Sequence, residues 1–105
     1  MADSLSLENK VAVVTGGSRG IGRAVALELA ARGAAVVVNY NKSSDAADEV
    51  VKAVQSAGGK AAAFQADVSD FKQAEALIKF AIETFGDLSI LVNNAGITKD
   101  TLIMM

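Results

Sequence analysis

An α/β domain built on a parallel sheet, with helices on both faces, is the fold class this sequence predicts, and three observations carry the prediction. Short apolar, β-branched runs alternate with helical patterns along the chain. Each helical pattern closes on a glycine. The strand runs are apolar at consecutive positions, the pattern of strands buried on both faces. Such alternation implies right-handed crossovers between parallel neighbours.

Val11 to Thr15 (VAVVT) reads as the first strand. Ile21, Val25 and Leu29, with Ala24 beside them, recur at helical spacing as far as Gly33, so the first helix covers Gly20 to Arg32. Val36 to Asn39 (VVVN) forms a second strand. Ser43, Ser44 and Asp45 then offer caps to a helix with Ala47, Val50, Val51, Val54 and Ala57 inward, which Gly58 and Gly59 stop. Ala61 to Gln65 (AAAFQ) is placed as the third strand by its position in the alternation, since alanine has low β propensity. Asp70 and Gln73 have the spacing of a capping box, ahead of an apolar stripe of Ala74, Leu77, Ile78, Ala81 and Phe85 that ends at Gly86. Leu88 to Val92 (LSILV) is the fourth strand, followed by NNAG and a partly apolar tail. The expected organisation is an N-terminal segment over 1–9, one α/β unit over 10–96 and a tail over 97–105, with no internal linker or repeat.

Composition narrows the function. The 105 residues suffice for one domain, and with 51% apolar residues, 21% charged residues and no proline the chain reads as globular. A net charge of −2 gives no electrostatic footprint for nucleic acid or an anionic membrane. Cysteine and histidine are absent, which excludes disulfides, thiolate or imidazole metal sites, Cys or Ser-His nucleophiles and histidine acid/base chemistry. Met1 to Asn9 lacks the apolar stretch of a signal peptide, so a cytoplasmic chain is expected.

The stretch VTGGSRGIG, Val14 to Gly22, places four glycines between a strand and a helix. Such a turn bares backbone N–H groups at the positive end of a helix dipole, an anion site. Gly16 can make the sharp turn, Gly20 can admit a pyrophosphate, and Gly22 can let the helix pack closely. A turn that merely packs is the alternative. The triphosphatase loop G-x-x-x-x-G-K-[ST] fails here, because Arg23 and Ala24 stand where its lysine and hydroxyl belong. The fingerprint G-x-G-x-x-G fails too, since the spacing is G-x-x-x-G-x-G from Gly16 through Gly20 to Gly22.

TGGSRGIG, together with NNAG at Asn93 to Gly96, resembles the short-chain dehydrogenase/reductase family, and the surrounding wording is similar to its 3-oxoacyl-[acyl-carrier-protein] reductases, the NADPH-dependent reductases of fatty acid synthesis. The resemblance implies a Rossmann-like sheet of four parallel strands in the order 3-2-1-4, with a dinucleotide across the carboxyl ends. It implies that Gly16, Gly20 and Gly22 line the pyrophosphate, with Ile21 contributing backbone. Ser18 and Arg19 would approach the adenosine 2′-phosphate. A solvated loop charge is the other account of Arg19. NADP(H) is favoured because an NAD-specific site places a carboxylate after the second strand, where Asn39, Tyr40, Asn41 and Lys42 supply none; Asn39 and Asn41 become cofactor-side residues. Asp67 would accept from the adenine amino group and Val68 would touch the ring, while Asp67 can equally begin the turn that follows with Ser69 or Asp70. Asn94, Ala95 and Gly96 would pass beneath the ribose, and Asn93 would tie the strand end to neighbouring backbone.

Hydride transfer to a ketone also needs a proton donor, which the family supplies with a serine and a Tyr-x-x-x-Lys pair. The single tyrosine here, Tyr40, is followed four residues later by Ser44, so no catalytic residue is assigned, and no metal ligand. The family's catalytic groups follow the point where this sequence stops, so the expectation is an N-terminal portion truncated before the fifth strand. Ile90, Leu91 and Val92 would then form an open edge. A homodimer or higher oligomer, a swapped element or a folded-back TLIMM would cover it; a disordered tail is the bland outcome. Two other functions compete: a self-assembling fragment that binds no nucleotide, and an S-adenosylmethionine-dependent methyltransferase, against which Asn39 counts because that enzyme wants an acid there.

Overall fold

Five consecutive apolar or β-branched residues form β1 (Val11–Thr15), and all five are buried because β1 lies inside the sheet with helices on either side. The computed structural model describes residues 6–94 and, for the backbone alone, 101–104. The remaining elements are α1 (Gly20–Ala31), β2 (Ala35–Tyr40), α2 (Ser44–Ser56), β3 (Ala61–Gln65), α3 (Phe71–Phe85), β4 (Ile90–Asn93) and β5 (Thr101–Met104). The sheet runs β3-β2-β1-β4-β5, and its first four strands are parallel in the expected order. Val13 sits level with Val37 on one side and Leu91 on the other.

Successive strand residues point to opposite faces, which divides the core into two layers. Ala12, Val14, Val36, Val38, Ile90 and Val92 pack with Ala26 of α1 and Ala47 and Val50 of α2. Val11, Val13 and Val37 pack with Leu77 and Ala81 of α3. The alanine-rich β3 finds its large contact at Phe64, whose ring stacks on Phe80 with centroids 4.6 Å apart. Gly33, Gly58 and Gly86 take the positive φ expected past the helix ends.

Four details depart from the sequence reading. In α1 the buried positions are Gly22 and Ala26, with Val25 and Leu29 partly buried; Ile21 is 68% exposed and Ala24 is exposed as well. The helix meets the loop before it at Gly22, so Ile21, about 100° round the axis, is carried to the rim. Ala57 is exposed, because it caps α2 and the chain turns away at Gly58. The capping box is only half formed: Asp70 accepts from the N–H groups of Lys72 and Gln73, but Gln73 Oε1 takes the N–H of Asp67 at 2.8 Å. β4 begins at Ile90, since the Leu88 N–H is spent on the Asp87 side chain at 2.8 Å and not on a ladder partner.

The expected open edge of Ile90, Leu91 and Val92 is closed. β5 pairs with β4 antiparallel, with Leu91 level with Ile103 and Val92 with Leu102, so the folded-back segment is the alternative observed. Unpaired strand N–H and C=O groups gain partners from the nearest chain able to turn back, which here is the segment that follows.

The division of α3 into a buried and an exposed face gives a test. Leu77→Ala should cost about 2–5 kcal/mol of stability in urea unfolding. Ile82→Ala, on a residue 46% exposed, should stay within about 0.5 kcal/mol of the parent. Equal losses would contradict the assignment of faces.

Candidate functional site

The carboxyl ends of β1, β2, β3 and β4 open on one side of the sheet, and the glycine loop crosses there into α1. A cleft of about 490 Å³ at this edge is lined by Thr15, Gly16, Asn39, Asn41, Asp67 and Val68, among others. A larger cleft, about 650 Å³, lies at the opposite strand ends around Glu8, Lys10, Gly33 and Lys60. The smaller one is the candidate, because Gly16, which opens the loop into α1, lines it. Arg19, the N-cap of α1, makes no side-chain capping bond, and the first turn carries no acidic residue.

Gly22 fixes how closely that helix approaches. A Cβ there would strike the carbonyl oxygen of Gly16 and come within 2.6 Å of Asn94 Nδ2. Gly16 and Gly20 hold φ near +61° and +57°, a region unfavourable to other residues, and above Gly20 the space is open. Ser18 is buried at 8% exposure whereas Arg19 is exposed, so of the two residues expected to meet a 2′-phosphate, Arg19 offers its side chain to solvent. Among the described residues the ion pair Arg32–Glu28 leaves Arg19 outside it.

The exits of β1 and β4 are clamped together. Thr15 Oγ1 accepts from the Asn94 N–H at 2.8 Å and lies 3.2 Å from Asn93 Oδ1 and 3.3 Å from the Val92 carbonyl, either of which can take its proton. Asn94 Nδ2 donates to the Gly16 carbonyl at 3.2 Å. Asn93 Oδ1 thus lies within reach of the Thr15 hydroxyl at the exit of β1. Ala95 and Gly96 lie outside the described residues.

On the other flank, Asn39 is buried at 2% exposure and its polar atoms are engaged within the protein. Its Oδ1 accepts from the Gly16 N–H at 3.1 Å, and its Nδ2 donates to the Ala66 carbonyl at 3.1 Å. Asn39 thus lines the cleft with its amide already held by backbone groups on either side. Asn41 stays at the rim, where Gln65 Nε2 donates to its carbonyl at 3.0 Å. Val68 is half-buried against the α3 layer. Asp67 begins the turn, accepting at one oxygen from the Ser69 hydroxyl at 2.6 Å and the Ser69 N–H at 3.0 Å. The Ser69 hydroxyl, then the Ser69 N–H, hold the Asp67 carboxyl below its usual value, burial opposes them, and Lys42 assists.

Sequence reasoning missed Thr15 and Gln73. A hydroxyl closing an apolar strand just before the loop was the available signal for Thr15; Gln73 had none beyond its capping spacing. Among the described residues no cluster of three potential metal ligands occurs, and no helix is long and apolar enough to cross a membrane.

Comparison with known proteins matches residues 10–104 to the family model described as short chain dehydrogenase. The chain is 52% identical over 99 residues to a 3-oxoacyl-[acyl-carrier-protein] reductase of Synechocystis sp., a match covering 94% of this chain and 40% of that one. It is 50% identical over 95 residues to the short-chain dehydrogenase/reductase homolog YusS of Bacillus subtilis, covering 90% and 87%. Among solved structures, a short chain dehydrogenase from Burkholderia cenocepacia in complex with NADP superposes with a TM-score of 0.84 at 48% identity, covering 89% of this chain and 38% of that one. The chain thus spans about two fifths of the length of the Synechocystis relative.

Two outcomes are expected here. Gly22→Ala should destabilise the protein by about 1–3 kcal/mol in thermal or urea unfolding, since loop backbone rather than a movable side chain blocks the methyl. The Asp67 carboxyl should titrate by NMR below 3.8 and move upward in Ser69→Ala. Because its folded pKa is the lower one, its contribution to stability is present above the unfolded value and is lost as pH falls through the folded value. An unshifted midpoint in the parent protein would refute the turn.

Proposed function

The chain belongs to the short-chain dehydrogenase family, and on that premise we propose that it is the NADP(H)-binding N-terminal portion of a 3-oxoacyl-[acyl-carrier-protein] reductase. The family membership sets the methyltransferase alternative aside. One observation carries the choice of ligand: an uncapped helix N-terminus meets a glycine loop beside the exposed Arg19, and no acid stands among Asn39, Tyr40, Asn41 and Lys42. A doubly charged pyrophosphate fits the open space above Gly20, held by the amides of Gly20, Ile21 and Gly22. Arg19 then pairs with the 2′-phosphate that distinguishes NADP(H) from NAD(H). Asp67 and Val68 receive the adenine, and Asn94 with Ala95 and Gly96 supports the ribose beside the nicotinamide.

The bound cofactor supplies a hydride to the ketone of a 3-ketoacyl thioester. These residues hold and orient the donor; no Tyr-x-x-x-Lys pair occurs in the sequence to deliver the accompanying proton. A cytoplasmic role in fatty acid synthesis belongs to the same reading. Self-association through the β4 edge does not, because β5 already pairs with it.

Titration with NADPH, followed by nicotinamide fluorescence, should saturate. Arg19→Glu should weaken NADPH by about tenfold or more, the worth of one charged hydrogen bond, and NADH far less. With a 3-ketoacyl thioester added, the chain should consume no NADPH. A titration without saturation, in the parent and in Arg19→Glu alike, would leave a folding unit that binds no nucleotide.

A further inference from the structure

We propose that Asn39 is a positioning residue: its amide joins the glycine loop to the exit of β3, so that the two ends of an adenosine pyrophosphate are met by one rigid unit. The proposal rests on the dinucleotide reading above. It is separate from any ligand contact, since Asn39 lines the cleft yet is only 2% exposed and its amide is spent on backbone groups.

Three strand exits converge on this residue. Its Oδ1 takes the Gly16 N–H at 3.1 Å, and its backbone carbonyl takes the Gly17 N–H at 2.9 Å, so both residues that open the loop hang from it. Its Nδ2 faces three carbonyls, those of Ala66 at 3.1 Å, Phe64 at 3.3 Å and Tyr40 at 3.4 Å. Ala66 in turn donates its N–H to the Tyr40 carbonyl at 2.9 Å and leads directly into Asp67. The orientation of the amide is settled by its partners, because a flip would set oxygen against oxygen and N–H against N–H. Among side chains of this length only a carboxamide accepts on one side and donates on the other. Aspartate would present an oxygen to the Ala66 carbonyl, and leucine would take this partner from both the half-buried Gly16 N–H and the buried Ala66 carbonyl.

Displacement at either side of this junction is therefore passed to the other. Loss of the amide loosens the pyrophosphate loop and the adenine turn together, and it does so before any ligand arrives. The 2′-phosphate is not involved, so NADPH and NADH lose affinity by the same factor.

Hydrogen exchange followed by NMR on the unliganded 105-residue chain, combined with NADPH and NADH titrations, tests this. The Gly16 amide should be protected in the parent chain and exchange at least about tenfold faster in Asn39→Leu, whose dissociation constants for NADPH and NADH should rise together by about tenfold or more. Asn39→Asp serves where Asn39→Leu does not fold: it keeps the acceptor and loses the donor, so Gly16 stays protected while NADH, which has no 2′-phosphate for the new carboxylate to repel, still weakens. An unprotected Gly16 in the parent, a loss confined to NADPH in Asn39→Leu, or undiminished NADH affinity in the variants would overturn the proposal. If the parent binds neither dinucleotide, the underlying reading fails instead, and the ligand-free exchange data tell the two failures apart.

Discussion

Contact between Gly22 of the first helix and the carbonyl of Gly16, with the Asn94 amide wedged beside it, determines where α1 starts and therefore where its first-turn N–H groups lie. A methyl group does not fit in that gap. Helix, loop and β4 exit meet within a single van der Waals layer, so the N-terminal end of α1 is held against the sheet rather than standing on a mobile connection. Everything proposed for the site inherits its geometry from this junction. The exposed Ile21 follows from the same contact, since a helix seated on Gly22 turns its neighbour outward.

The polar groups around the junction are satisfied by one another. Thr15 serves the β4 exit, Asn94 serves the Gly16 carbonyl, and Asn39 serves the Gly16 N–H, so Gly16 is gripped at both its N–H and its carbonyl by side chains at neighbouring strand exits. No buried side-chain nitrogen or oxygen among the described residues lacks a partner. That arrangement suits a binding site in a parallel sheet, where the strand ends leave backbone groups that the ladder no longer pairs. A loop fixed in advance loses little freedom when a phosphate arrives.

The alternation of β-branched runs with amphipathic stretches was enough to place the first four strands and the three helices, because burial on both faces leaves an uninterrupted apolar signature. Val13 and Val37, filling the α3 layer while their neighbours fill the other, are legible in this way. Helix rotation was less legible. The spacing of Ile21, Val25 and Leu29 satisfied a helical period, but the true contact face ran through a glycine and an alanine, residues that hydrophobicity underweights. Asn39 was ambiguous for a related reason: its type suits a ligand site and a backbone brace equally well, and its hydrogen bonds to Gly16 and Ala66 are not written in the residue order.

The sequence by itself determined the fold class, the strand order once the family resemblance was admitted, and the glycine loop between β1 and α1, since these depend on local pattern and on glycine spacing. Tertiary structure decided which polar residues face the cleft and which hold it in shape. It also decided that the β4 edge is covered by the segment from Thr101 to Met104. Both outcomes turn on which groups, distant along the chain, come within hydrogen-bonding reach, and residue order carries no direct record of that.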